Sequence, residues 1–118
     1  MKLPVQVVFR DMAPLPSLEG ELRERAARLD RFAPDLTSCQ IVVEASGGRH
    51  RQGHRYTVRI DLRLTGAEIV AGEHQADEDI GRAVHGAFDA ATRQLEDLVR
   101  RRRGQVKLHA PRGEGAPP

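Results

Sequence analysis

The 118-residue sequence has no tryptophan, and its aromatic residues are only Phe9, Phe32, Tyr56 and Phe88. It has one cysteine, Cys39, which excludes an internal disulfide and fits a reducing compartment. No apolar run approaches membrane-spanning length. The N-terminal MKLPVQVVFRDM is too interrupted for the apolar region of a secretory signal. These absences predict a cytoplasmic protein with no membrane-spanning segment. GxSxG, P-loop, GxGxxG, HExxH and CxxC patterns are all missing, and no nucleophile stands with a base at a recognisable spacing. His50 and His54 are four apart, but Gly53 between them argues against a helical metal pair. Neither an enzyme nor a cofactor or metal site is expected.

What is present is arginine, unevenly spread. The formal net charge is only +2, from 19 lysines and arginines against 17 acids. From position 49 to 63, Arg49, Arg51, Arg55, Arg59 and Arg63 face a single acid, Asp61. From Arg100 to Arg112 basic residues stand without any acid, led by Arg100, Arg101, Arg102 and Arg103. Two dense blocks in a balanced chain point to a local anionic partner more than the total does. The plainer alternative is solvated charge with ordinary ion pairs.

Periodicity places these residues. PVQVVF (4–9) predicts a first strand. Ser17 is a candidate N-cap for an amphipathic helix over 17–32, with Glu19 and Glu21 in its first turn. Leu18, Leu22, Ala26, Leu29 and Phe32 form its apolar stripe, and Pro34 ends it. SCQIVVEA (38–45) predicts a second strand. Over 55–64, Tyr56, Val58, Ile60, Leu62 and Leu64 alternate with Arg55, Thr57, Arg59, Asp61 and Arg63, as in a strand with one buried face. Thr65-Gly66 is a turn and 68–71 a fourth strand. A second helix runs from about 77 to 103, with Asp77 as its cap and Gly104 just past its end. Ile80, Val84, Ala87, Phe88, Ala91, Leu95, Leu98 and Val99 are its apolar face. The expected fold is α+β, in the order β-α-β-β-β-α, with one antiparallel four-stranded sheet carrying both helices on one face. Residues 1–108 form the domain, and HAPRGEGAPP (109–118) is a Gly/Pro-rich, flexible tail.

Cations at a helix C-terminus complement its dipole, which is the plain reading of the arginine block. The i,i+4 pairs Asp89–Arg93, Glu96–Arg100 and Asp97–Arg101 neutralise part of it. Four adjacent arginines followed by Lys107 and Arg112 exceed what capping needs. Arg25 and Arg28 lie on one flank of the first helix, where a ligand held between the helices would meet them. Arg59 and Arg63 are better explained by cross-strand pairing with acids such as Glu44 and Glu68. Patterning puts all four aromatics toward the core, which disfavours reading of unpaired bases by stacking. Arginine contact to phosphates and 2′-hydroxyls, a readout of RNA shape, is what remains.

In the combination of VQVVFRDM, RAARLDRFAPDLTSCQIVVEA, YTVRIDLRLTGAEIV and FDAATRQLEDLVRRRRGQVKLH, the chain resembles the bacterial ribosome hibernation-promoting factors and ribosome-associated inhibitors, also called sigma-54 modulation proteins. The resemblance covers roughly residues 5–108. It implies a domain similar to a double-stranded-RNA-binding domain, and binding to the small ribosomal subunit and its ribosomal RNA. It also implies translation inhibition, by blocking of the mRNA and tRNA sites under stress. The RNA-binding positions it implies are Arg25, Arg28, Arg93, Arg100, Arg101, Arg102, Arg103 and Lys107. Ala90 and Asp97 stand where the family often has basic residues, and Gly81 where an aromatic is common. Gly81 and Gly86 should each cost the helix about 1 kcal/mol relative to alanine. The length matches the short members, without the second domain that pairs ribosomes. Two other readings stay open: a protein-interaction module, including weak self-association through the wet sheet face or an edge strand, and a general double-stranded-RNA binder.

Overall fold

The computed structural model describes residues 3–46, 55–73 and 75–109, with side chains described through Gly104. The basic loop with Arg49, His50, Arg51 and His54 lies outside the described residues, as does the tail beyond His109.

The elements are β1 (Val5–Arg10), α1 (Pro16–Phe32), β2 (Leu36–Ser46), β3 (Arg55–Leu64), β4 (Ala67–Ala71), β5 (Ala76–Asp77) and α2 (Ile80–His109). The sheet order is β1-β2-β3-β4, with β5 pairing β3. It is mixed, not purely antiparallel as the sequence suggested, because β1 pairs β2 in parallel from Val5↔Cys39 to Arg10↔Glu44. The reason is α1: a helical crossover returns the chain to the starting edge, so the next strand runs the same way. β5 is also new. Two residues opposite Tyr56 and Thr57 are too few to leave a period in the sequence.

β3 spans the alternating stretch, with Val58, Ile60, Leu62 and Leu64 buried beneath the helices. β2 contributes Cys39, Ile41, Val43 and Ala45 to the same face. Leu36 is buried as well, which a strict period of two forbids. A register shift between Leu36 and Ser38 resolves this by bulging Thr37 outward. The Thr37 hydroxyl then donates to the Arg63 carbonyl at 3.1 Å. α1 lies on β1 and β2, and α2 on β3 and β4.

Ala83, Ala87 and Ala91 give α2 a row of small side chains, so its backbone comes close to the sheet. Gly72 marks the approach. Its φ is +85°, and a Cβ there would sit 2.2 Å from the Val58 carbonyl oxygen and 2.7 Å from the Ala87 Cβ. No described helix is long and apolar enough to cross a membrane.

The caps differ from expectation. α1 starts one residue earlier, with Leu15 at its N-cap position, no side-chain cap and Pro16 in its first turn. Proline supplies the helical φ and removes one orphan donor, so Ser17 is not needed as a cap. α2 is capped by Asp79 rather than Asp77. The Asp79 carboxylate accepts from Gly81 N at 2.8 Å and Arg82 N at 3.3 Å, while Asp77 accepts from Asp79 N at 2.8 Å. Gly104 does not end α2, which continues to His109. One helical glycine costs about 1 kcal/mol, which the turns on either side can absorb. Arg100 to Arg103 therefore do not form the last turn, and completing the helix dipole does not account for them.

Candidate nucleic-acid interface

Four consecutive helical residues cannot share a face, because each turns the helix by about 100°. The arginine block is accordingly divided. Arg102 lies two turns after Leu95, in line with the buried stripe, and is turned toward the body of the domain. Its guanidinium sits 2.9 Å from Asp35 and donates to the Thr65 carbonyl at 2.7 Å. It clamps α2 to the residue before β2 and to the β3–β4 turn through two of its five N–H donors. These contacts give Arg102 a structural part in the fold.

Arg100 falls two turns after Arg93, on the crest away from the sheet. Arg93 lies 3.4 Å from Asp89, Arg100 4.0 Å from Asp97 and Arg101 3.1 Å from Asp97. The sequence had paired Arg100 with Glu96; Asp97 serves both arginines instead. Such exposed pairs contribute a few tenths of a kcal/mol and exchange readily for a phosphate. Arg103 is exposed and has no ion-pair partner among the described residues. It falls on the flank of α2 that carries Phe88 and Val99. The side chain of Lys107 lies outside the described residues.

On α1, Arg25, Arg28 and Phe32 share the flank that faces α2. Arg25 pairs with Glu21 at 3.0 Å, and its guanidinium carbon lies 5.7 Å from the centroid of the Phe88 ring. That contact joins the helices and holds the charge at the head of the groove between them. Arg28 is exposed and has no ion-pair partner among the described residues. Arg23, by contrast, donates to the Val5 carbonyl at 2.8 Å and pairs with Glu19 at 3.1 Å, tying α1 to β1.

Phe32 overturns the expectation that every aromatic is inside. It is 46% exposed, whereas Ala33 is 1% exposed. The spacing explains the exchange: Leu22, Ala26, Leu29 and Ala33 follow at four, three and four residues, so Ala33 continues the stripe and Phe32 falls beside it. The signal was in the sequence, but the larger apolar residue masked it. Phe32 lines a pocket with Pro34, Asp35, Val99, Arg102 and Arg103 at the end of the inter-helix groove.

The structure thus puts Arg25 against Phe88 and Arg103 on the lining of the Phe32 pocket, leaves Arg28 exposed on the same flank of α1, and sets Arg93 and Arg100 along the α2 crest. It turns Arg101 to the far flank and Arg102 inward. Arg59 and Arg63 lie on the opposite face of the sheet, within 4.0 Å of Asp61 and Glu68 respectively. Glu44 is not their partner; Glu73, 3.9 Å from Arg59, is. Among the described residues no group of three or more His, Cys, Asp or Glu is placed to hold a metal ion.

Residues 5–103 match the model of the Sigma 54 modulation protein / S30EA ribosomal protein family. The chain belongs to this family. Similar solved structures have the same fold at low identity. A ribosomal subunit interface protein from Coxiella burnetii superposes with a TM-score of 0.68 at 14% identity, covering 81% of this chain and 97% of that one. The N-terminal domain of Thermus thermophilus Protein Y gives 0.65 at 19% identity, covering 83% and 99%. No curated protein matches. The match spans every strand, α1, and α2 as far as Arg103.

Proposed function

We propose that the protein is a non-catalytic, cytoplasmic ribosome-associated factor that binds ribosomal RNA of the small subunit, blocks the mRNA and tRNA sites, and holds ribosomes idle. The family match over residues 5–103 carries this reading. The division of the arginines supports it: Arg25, Arg28, Arg93, Arg100 and Arg103 present their guanidinium groups from two helices on one side of the domain. Guanidinium forks bind phosphate oxygens in pairs, and each neutralised phosphate releases condensed counterions, so binding depends steeply on salt. Such contacts track the backbone and fix orientation without reading sequence, as suits a factor seated on one folded RNA surface.

The test is co-sedimentation with purified small subunits over a series of salt concentrations. Wild type should bind at low salt and be released as salt rises. Combined reversal of Arg28, Arg100 and Arg103 to glutamate should abolish binding and leave the circular dichroism spectrum intact. A reversed protein that sediments with small subunits as wild type does would overturn the assignment.

A further inference from the structure

The pocket at the end of the groove has a composition that phosphate contact does not require. Its volume is about 440 Å³. Phe32 stands at its rim, one of two large hydrophobic residues left exposed among the described residues, the other being Leu15 at the opposite end of α1. Pro34 and Val99 supply apolar walls from the two sides of the groove. Asp35 is the single acid in the lining, and it is neutralised by Arg102 at 2.9 Å. Because Arg102 is also held by the Thr65 carbonyl, this wall is fixed before any ligand arrives. Arg103 lies beside the pocket without an ion-pair partner among the described residues, and Arg28 precedes Phe32 by one turn on the same flank.

An aromatic face with apolar walls and unpaired guanidinium groups at the edge is complementary to one chemistry: a flat ring joined to an anionic backbone. We propose that this pocket seats one unpaired nucleobase of the bound RNA, stacked on Phe32, with the flanking phosphates on Arg103 and Arg28. The inference rests on the RNA-binding reading above and adds to it a contact with a single-stranded nucleotide. Stacking accepts any base, since every base has a π-face. An apolar side chain of a protein partner would fill the walls equally well but would leave both arginines unused, which is why RNA is favoured.

The experiment uses the full chain, and its lack of tryptophan provides the probe. In Phe32→Trp, all indole fluorescence arises at the pocket rim. Single-stranded oligoadenylate should quench it strongly, and a fully paired RNA duplex of equal charge should not. Phe32→Leu, which keeps the apolar surface and removes the ring, should weaken oligoadenylate binding on the order of tenfold with an unchanged melting temperature. Equal quenching by duplex and oligoadenylate overturns the proposal. So does a Phe32→Leu protein that binds oligoadenylate as wild type does, the result expected of a merely apolar protein-docking patch. Co-sedimentation of wild type with small subunits separates the two readings. If it occurs without quenching by oligoadenylate, the pocket fails and the ribosome reading stands. Quenching without co-sedimentation leaves the pocket standing and removes the ribosome reading.

Discussion

Arg102 reaches across 67 residues of chain to Asp35, 2.9 Å away, from within a run of arginines whose other members point elsewhere. The pair is half-exposed, at 34% and 46% of the side chains, so its Coulombic part contributes little. The added hydrogen bond to Thr65, charged on the donor side, raises the total. Arg102→Ala should therefore lower the unfolding free energy by about 1 kcal/mol, while Arg100→Ala and Arg103→Ala stay within about 0.5 kcal/mol. Urea titration followed by circular dichroism measures all three. Equal effects across the block would mean that Arg102 has no special structural part.

The caps can be separated in the same way. Asp79→Ala removes the acceptor of two α2 backbone donors and should cost about 1 kcal/mol. Ser17→Ala should change stability by less than about 0.5 kcal/mol, because Pro16 starts α1 without a side-chain cap. A larger loss for Ser17→Ala than for Asp79→Ala would reverse both assignments.

Two glycines should respond in opposite directions to alanine. At Gly20, within α1, an added Cβ meets nothing within 4 Å, so Gly20→Ala should raise stability by about 0.5–1 kcal/mol. At Gly72 the methyl would collide with the Val58 carbonyl at a φ of +85°. Gly72→Ala should cost more than about 2 kcal/mol, because the backbone conformation and the close approach of α2 are both lost. Thermal melts of the two variants beside wild type decide it; a neutral Gly72→Ala is the contrary result.

Cys39 gives the domain a signature at high pH. Burial, and secondarily the Asp61 charge, push its thiol up from 9.0 to about 12. Above pH 9 the unfolded chain loses this proton and the folded one keeps it, so fewer protons are bound in the unfolded state and stability falls as pH rises toward 12. Between pH 8 and pH 10 the loss should be about 1 kcal/mol. Cys39→Ala begins less stable because it leaves a small cavity, but it should lack this slope. Parallel slopes for the two proteins in urea titrations at both pH values would exclude Cys39 as the source.

The parts of the fold that follow from a local period were legible in the sequence. β3 and the apolar stripes of both helices are cases, because alternation and three-to-four spacing are imposed by burial itself. Strand direction is not a local property: the same valines make β1 whether β2 runs with it or against it, and only the intervening helix decides. β5 borrows its register from Tyr56 and Thr57, so no pattern of its own existed to find. Around the candidate site, two placements differ from a plain reading of residue type: Arg102 is turned toward the domain, and Phe32 is exposed in place of Ala33. Arg102 follows Leu95 by two turns and Ala33 follows Ala26 by the same interval, so the stripe itself marks both as inward. The charge of Arg102 and the larger ring of Phe32 run against that geometry, since residue type alone would put the charge outside and the ring inside.

The continuation of α2 beyond Gly104 has a mechanical meaning. Ala87 lies over Gly72 and Val58, and Arg102 meets the tip of the β3–β4 turn, so the helix runs along β3 and reaches the edge of the domain there. From Arg103 to His109 it goes on for about 10 Å at 1.5 Å per residue, with no strand beneath it among the described residues. This described stretch of α2 is one helix thick, about 10–12 Å across, with Arg100, Arg101 and Arg103 spread around the helix at its base.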